Sequence, residues 1–469
     1  MVIYDVVLFI LPVLLLIHKQ VLVVFQKHLI IMLALSCLVP VAHHLSAGFR
    51  WQMTFLYVFY ILLVLVALVL IVKASDFRLG YKGLKRLGLI VTLISILFSA
   101  VFPVGRLYMV SGPYKVGTAS MTYTSDIRRE LYGKKYDTAR AFNIQFYYPA
   151  DRTGSRRAPM IENSEVVEQG LSKTFGVPRP LTDYLSQLKS NAWYDVGVSE
   201  LENMYPVVIL SHGWKGFKNI HSDTAEQLAS EGYIVVSIDH TYGTVGTKMD
   251  TGQVRFLNPA ALPERSEDDD FLVYASALVN TYRGDIDETI DLLYDMNQTG
   301  YNSILSGKMD LSRLALIGHS TGGGAAVLSS MKRDNVKAVI GLDAWVEPAK
   351  PSEILSGVHV PYMHLKSEAW RGGFNEANLN MLFSSSTDDR WLITLDGTKH
   401  TDFTFLSKLS PLSEFLRLCG PNGKEAHQIQ NELTSAFLAY YLKGKNTKTA
   451  IGDVIKKYES TRAEAVYMK

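Results

Sequence analysis

The chain has 469 residues, long enough for more than one domain, and 48% of them are hydrophobic. A formal net charge of +2 gives no reason to expect a nucleic-acid partner. Two cysteines, Cys37 in an apolar segment and Cys419 far along the chain, argue against a disulfide framework.

Four apolar runs occupy the first hundred residues: 6–17, 29–45, 55–72 and 87–104. The third and fourth are long enough to cross a hydrocarbon core of about 30 Å, and the second remains compatible with a span despite Pro40, His43 and His44. The first is short and contains Pro12, so it reads either as an extended span or as an interfacial helix. It has no preceding basic region and no following A-x-A site, which argues against a cleaved signal peptide. Residues 1–110 are therefore expected to form a transmembrane helical region of three to four spans, with His43 and His44 at the membrane interface. Basic residues set the orientation. Lys73, Arg78, Lys82, Lys85 and Arg86 surround the third loop against Asp76 alone, and Lys19 and Lys27 lie in the first, whereas the second has only Arg50. The first and third loops then face the cytoplasm. The expectation is a multi-pass cell-membrane protein whose remaining chain lies on the extracytoplasmic side.

From about Tyr114 the composition becomes that of a soluble α/β domain, expected over residues 111–450 with a tail at 451–469. Strands are predicted at Ala141–Tyr148, Pro206–Leu210, Tyr233–Ile238, Leu314–Ile317, Ala338–Leu342, Tyr362–Leu365 and Trp391–Leu395. Helices are predicted at Asp223–Glu231, Phe271–Met296 and Glu425–Leu442, and residues 152–203 and 241–270 read as excursions from the alternation. Strands alternating with helices imply a mostly parallel sheet with helices on both faces, and in such sheets the chemistry sits beyond the carboxyl ends of the strands.

The stretch from Leu314 to Ser330 organises this domain. A short apolar run meets Gly318-His319-Ser320-Thr321-Gly322, and a small-residue helical stretch follows, so a G-x-S-x-G pattern stands between strand and helix. The glycines relieve crowding at a strained turn that lifts the Ser320 hydroxyl out of the sheet. A serine hydroxyl is a weak nucleophile; an imidazole must take its proton, and a carboxylate must fix the imidazole's tautomer. His400 is the only histidine in the loop after the last predicted strand, where this fold needs its base. Asp343 and Glu368 follow successive strands, and spacing leaves either as the acid. The oxyanion hole needs two backbone N–H groups, expected from Thr321, just after the serine, and from Trp214 in the loop after Pro206–Leu210. Asp295, Asn297 and Thr299 resemble half a calcium loop, but Ser306 occupies the closing position that requires a Glu. No metal or cofactor is implied.

Five motifs together resemble the plasma-type platelet-activating factor acetylhydrolases, within the wider group of dienelactone hydrolases and cutinase-like polyesterases. They are Tyr205–Gly213, Leu228–Val235, Gly318–Gly323, Gly341–Trp345 and His400–Phe405. The resemblance covers roughly residues 120–445. It implies the α/β-hydrolase fold and a calcium-independent serine esterase, with Ser320, Asp343 and His400 as triad and Trp214 and Thr321 as oxyanion donors. It favours Asp343 over Glu368, because the family acid sits in the motif matched by Leu342-Asp343-Ala344-Trp345. The substrate it implies is a short-acyl lipid or other hydrophobic ester. The same residues suit an acyltransferase, and a catalytically idle binding or sensing protein is a third reading that an intact triad argues against. Oligomeric state is not legible.

Overall fold

In a computed structural model, the protein is described at residues 5–6, 8–10, 12, 29–72, 81–133, 138–266, 270–298, 303–445, 447–458 and 460–467. The chain forms two compact units, Met1–Leu107 and Tyr108–Lys469.

The first unit contains α1 (Leu29–Ala47), α2 (Thr54–Val72) and α3 (Tyr81–Val101), close to the second, third and fourth apolar runs. The multi-span expectation contracts here. Among the described residues one stretch, Trp51–Val69, is long and apolar enough to cross a membrane. The apolar part of α1 is Leu33–Ala47 and that of α3 is Arg86–Val101, both shorter than the ~20 residues of a typical crossing helix. Most of the first apolar run and the loops carrying Lys19, Lys27, Lys73 and Arg78 lie outside the described residues. His43, expected at the membrane interface, is buried within this unit, with Nε2 3.2 Å from Asp5 and Nδ1 2.9 Å from the Tyr57 hydroxyl.

Beside a two-stranded ribbon of β7 (Gly246–Lys248) and β8 (Val254–Phe256), the second unit is built on one eleven-stranded sheet. Its centre comprises β5 (Tyr205–Ser211), β6 (Ile234–Asp239), β9 (Met309–His319), β10 (Val336–Leu342), β11 (Tyr362–Ser367) and β12 (Arg390–Leu395), all parallel. The antiparallel β2 (Ala139–Ala150) and β1 (Lys115–Arg129) extend one side, where β3 (Arg157–Pro159) and β4 (Lys189–Trp193) complete the edge. Successive side chains of a strand point to opposite faces, and the central strands feed two cores accordingly. Val207, Ile209, Leu314 and Leu316 pack with one set of helices, Val208, Leu210, Ala315 and Ile317 with another. On the first face lie α4 (Phe271–Gln298) and α5 (Ser320–Ser330); on the second lie α6 (Ser222–Ser230) and α7 (Gly423–Tyr441). The tail expected at 451–469 holds most of a helix (Thr449–Lys457) and β13 (Thr461–Tyr467), which pairs antiparallel with β12, so that the sheet runs β13-β12-β11-β10-β9-β5-β6-β2-β1-β4-β3.

This topology brings the ends of β5, β9, β10, β11 and β12 to one rim. Parallel register aligns them: Ser211 stands opposite Gly318, Leu342 opposite His319, and Ser367 opposite Leu395. The turns and helix starts that follow these strands carry Trp214, Ser320, Thr321, Asp343, Glu368 and His400.

Candidate active site

Ser320 sits at the junction of β9 and α5 with φ +54°, a left-handed conformation that is uncommon outside glycine. The flanking glycines are required by contact. A Cβ on Gly318 would lie 2.2 Å from the Gly322 carbonyl oxygen, and one on Gly322 would lie 2.4 Å from that of His212. The turn is held from the far side by Trp345, whose N–H donates to the Ser320 carbonyl at 2.9 Å. Neighbouring structure thus over-determines the strained residue, as such conformations require.

Asp343 is fully buried and also has positive φ, +43°. Its Oδ1 accepts from the Ser367 N–H at 2.7 Å, and its Oδ2 accepts from the Ser367 hydroxyl at 2.6 Å. His400 Nδ1 lies 3.0 Å from the same Oδ2. A carboxylate accepts only, so this geometry assigns the hydrogen to Nδ1 and leaves a lone pair on Nε2. The His400 loop is shaped by Asp402, which accepts from the N–H groups of Lys399 at 2.7 Å and Gly420 at 2.9 Å. The imidazole lies between two rings. Trp370 stacks on it at 4.4 Å and 5°, and His319, the neighbour of Ser320, lies 4.4 Å away on a ring tilted by 33°. His319 Nε2 also donates to the His400 carbonyl at 3.0 Å. Ser320, Asp343 and His400 are therefore gathered at one rim. Glu368 is exposed and accepts from the Gly397 N–H at 2.6 Å; the structure pairs His400 with Asp343 instead.

Trp214 follows β5 and is half-buried. Its N–H meets no acceptor among the described residues. The Thr321 N–H lies in the first turn of α5, where backbone donors have no intrahelical partner. Gly213 brings the two segments together: a Cβ there would stand 2.8 Å from the Ser320 Cβ.

Several histidines near this rim are buried and neutral. Burial pushes His221 down to about 3 and His240 and His427 down to about 4; it also holds His319 well below the ordinary value, with His400 and His221 adding repulsion. In the unfolded chain each titrates near 6.5. Between about pH 4 and 6.5 the unfolded state therefore binds more protons, and each group makes stability rise with pH by up to about 1.4 kcal/mol per unit. Denaturant midpoints measured from pH 4 to 8 should climb steeply to about pH 6.5 and then flatten. A flat profile below pH 6 would contradict neutral burial.

Spacing does not single out two features of this neighbourhood. Trp370 lies two residues past Glu368, and nothing in the sequence signals that its indole covers His400. Asp285 is fully buried in α4. Its signal is a carboxylate in register with Leu278, Tyr282 and Thr289 on an apolar helix face.

A model of the family described as platelet-activating factor acetylhydrolase, isoform II, matches residues 100–247 and 274–457. The platelet-activating factor acetylhydrolase of Gallus gallus is 28% identical over 354 residues, covering 65% of this chain and 79% of that protein. Cutinase est2 of Thermobifida alba is 26% identical over 145 residues, covering 30% and 36%. A ferulic acid esterase from Streptomyces cinnamoneus superposes with a TM-score of 0.61 at 17% identity, covering 77% of this chain and 99% of that one. At that identity the likeness shows the fold. Sheet order, helical layers and the family match agree: the chain belongs to the platelet-activating factor acetylhydrolase, isoform II, family and is a serine ester hydrolase.

Proposed function

We propose that the protein is a membrane-anchored serine esterase that cleaves short-acyl lipid or other hydrophobic esters, with Ser320 as nucleophile, His400 as base and Asp343 as acid. The observation that carries this reading is the Asp343–His400 hydrogen bond at 3.0 Å beside a serine held at φ +54°. His400 Nε2 takes the Ser320 proton as Oγ bonds to the ester carbonyl carbon. The resulting oxyanion accepts from the N–H groups of Trp214 and Thr321. As the C–O bond to the alcohol breaks, His400 returns the proton to that oxygen. A water then gives its proton to His400, attacks the acyl-enzyme and releases the acid with Ser320 restored.

The N-terminal unit is the anchor in this reading, supported by the apolar length of Trp51–Val69 and the apolar helices on either side of it. In the same reading the basic residues between positions 73 and 86 keep that loop cytoplasmic and α3 makes the return crossing, its short apolar part accommodated by local thinning of the bilayer, so that the hydrolase unit lies on the extracytoplasmic side of the cell membrane. Tethering beside a bilayer supplies the enzyme with hydrophobic esters.

The full chain in detergent micelles should release acetate from 1-alkyl-2-acetylglycerophosphocholine. It should also turn over p-nitrophenyl acetate at least about tenfold more efficiently (kcat/KM) than the palmitate ester. Turnover of both esters at the buffer rate, or a preference for the long acyl chain, would contradict the reading.

A further inference from the structure

A second Ser-His-Asp line runs beneath the first and reaches no open surface. Ser211 ends β5, His240 follows β6 and Asp285 lies in α4, and each is at most 1% exposed. Ser211 Oγ is 2.7 Å from His240 Nε2, and His240 Nδ1 is 2.9 Å from Asp285 Oδ2. Arg140 holds Asp285 from two nitrogens, at 3.0 and 2.6 Å, and Arg128 adds a third contact at 2.8 Å. Two guanidinium groups keep that carboxylate ionised and therefore only an acceptor. His240 Nδ1 then carries the hydrogen, and Nε2 accepts from the Ser211 hydroxyl. The Tyr282 ring lies flat on this imidazole at 3.7 Å and fixes its plane.

The line ends under the oxyanion loop. A Cβ on Gly322 would stand 2.5 Å from Ser211 Oγ, so that hydroxyl forms part of the floor on which the elbow rests. The His240 N–H donates to His212 Nε2 at 3.2 Å, which leaves Nδ1 of His212 to donate to the Gly213 carbonyl at 2.7 Å. The Gly216 N–H donates to the same carbonyl at 3.0 Å. That carbonyl belongs to the peptide whose N–H is the Trp214 donor. In a planar trans peptide the two point in opposite directions, so pinning the oxygen aims the N–H.

We propose that His240 is a positioning residue for the oxyanion hole: its side chain holds Ser211 under the elbow, and its backbone aims the Trp214 N–H through His212. The proposal rests on the reading of Ser320 as nucleophile and Trp214 as donor. Loss of the hydroxyl at Ser211, or of the imidazole's reach at His240, would let the donor drift without touching any group that meets substrate.

The test compares full-length His240→Asn, His240→Gln and Ser211→Ala with the parent, reading kcat, KM, melting temperature and affinity for a trifluoromethyl ketone, whose hemiketal oxygen occupies the oxyanion hole. An Asn amide still reaches Asp285 but not Ser211, whereas a Gln amide reaches Ser211. His240→Asn and Ser211→Ala are expected to lose about tenfold in kcat, a fraction of the effect of removing a donor outright, with KM within about twofold. Ketone affinity should fall by the same factor, and His240→Gln should recover most of both. Parent-like kcat and ketone affinity in folded His240→Asn, or a loss of kcat with ketone affinity unchanged, would overturn the proposal. If the His240 variants do not fold, Ser211→Ala decides by the same two readouts. Turnover by Ser320→Ala at the parent rate would instead overturn the underlying site reading, and it is measured independently of these variants.

Discussion

Replacing Asp343 by Asn is expected to lower kcat about 10⁴-fold in a protein that still folds, with KM little changed. The effect follows from donor and acceptor counting. Asp343 Oδ1 accepts from the Ser367 N–H, so the amide oxygen of Asn would take that place. The NH₂ group would then face His400 Nδ1, where the wild-type carboxylate offers Oδ2 at 3.0 Å. Two donors cannot face one another at hydrogen-bond distance. His400 would shift its hydrogen to Nε2, the atom that must accept the Ser320 proton. Glu368→Gln should stay within about twofold of the parent, since an amide oxygen can still accept from Gly397 and exposed substitutions cost little. Steady-state kinetics on the two variants discriminate directly. A collapse in Glu368→Gln with a mild effect in Asp343→Asn would exchange the two carboxylates' roles.

Ser320→Ala should be more damaging still, with kcat down by about 10⁶, because no other oxygen stands in its place to form the acyl-enzyme. Activity and stability should part company at this position. With φ at +54°, any side chain with a Cβ is strained, and Gly318 and Gly322 already relieve what crowding they can. Ser320→Gly should therefore raise stability by about 1 kcal/mol while abolishing turnover, a difference visible in denaturant midpoints. Equal midpoints for Ser320→Gly and Ser320→Ala would mean that the elbow carries no strain.

Much of the catalytic unit is legible in the chain because its central strands are apolar runs that end in turn residues. The order of strand ends along the chain follows from alternation with helices, and helix bounds such as Phe271–Gln298 fall within two residues of the periodic pattern. Strand β1 is missed. Its Lys115–Arg129 sequence mixes Thr, Ser and Tyr with exposed and half-buried positions and shows no clean two-residue alternation. Strand β13 is missed because a short segment beyond the last long helix carries no periodic signal. The membrane region is matched in part: runs of apolar residues mark the helices, and Trp51–Val69 has the length of a span, but Pro40, His43 and His44 in α1 and the basic start of α3 leave those two helices with apolar parts shorter than the ~20 residues of a typical span. At the site, residue types and strand-end positions point to Ser320, His400 and two possible carboxylates. The choice between them depends on a hydrogen bond, and the stacking of Trp370 on His400 depends on loop shape that no local pattern encodes.

The central claim, that Ser320 is the nucleophile, is tested most directly by labelling the full chain with a fluorophosphonate and locating the adduct by peptide mass spectrometry. The account predicts a single adduct on the peptide containing Ser320, formed in step with loss of esterase activity and absent from Ser320→Ala. An adduct on another residue, or labelling that persists in Ser320→Ala, would contradict it.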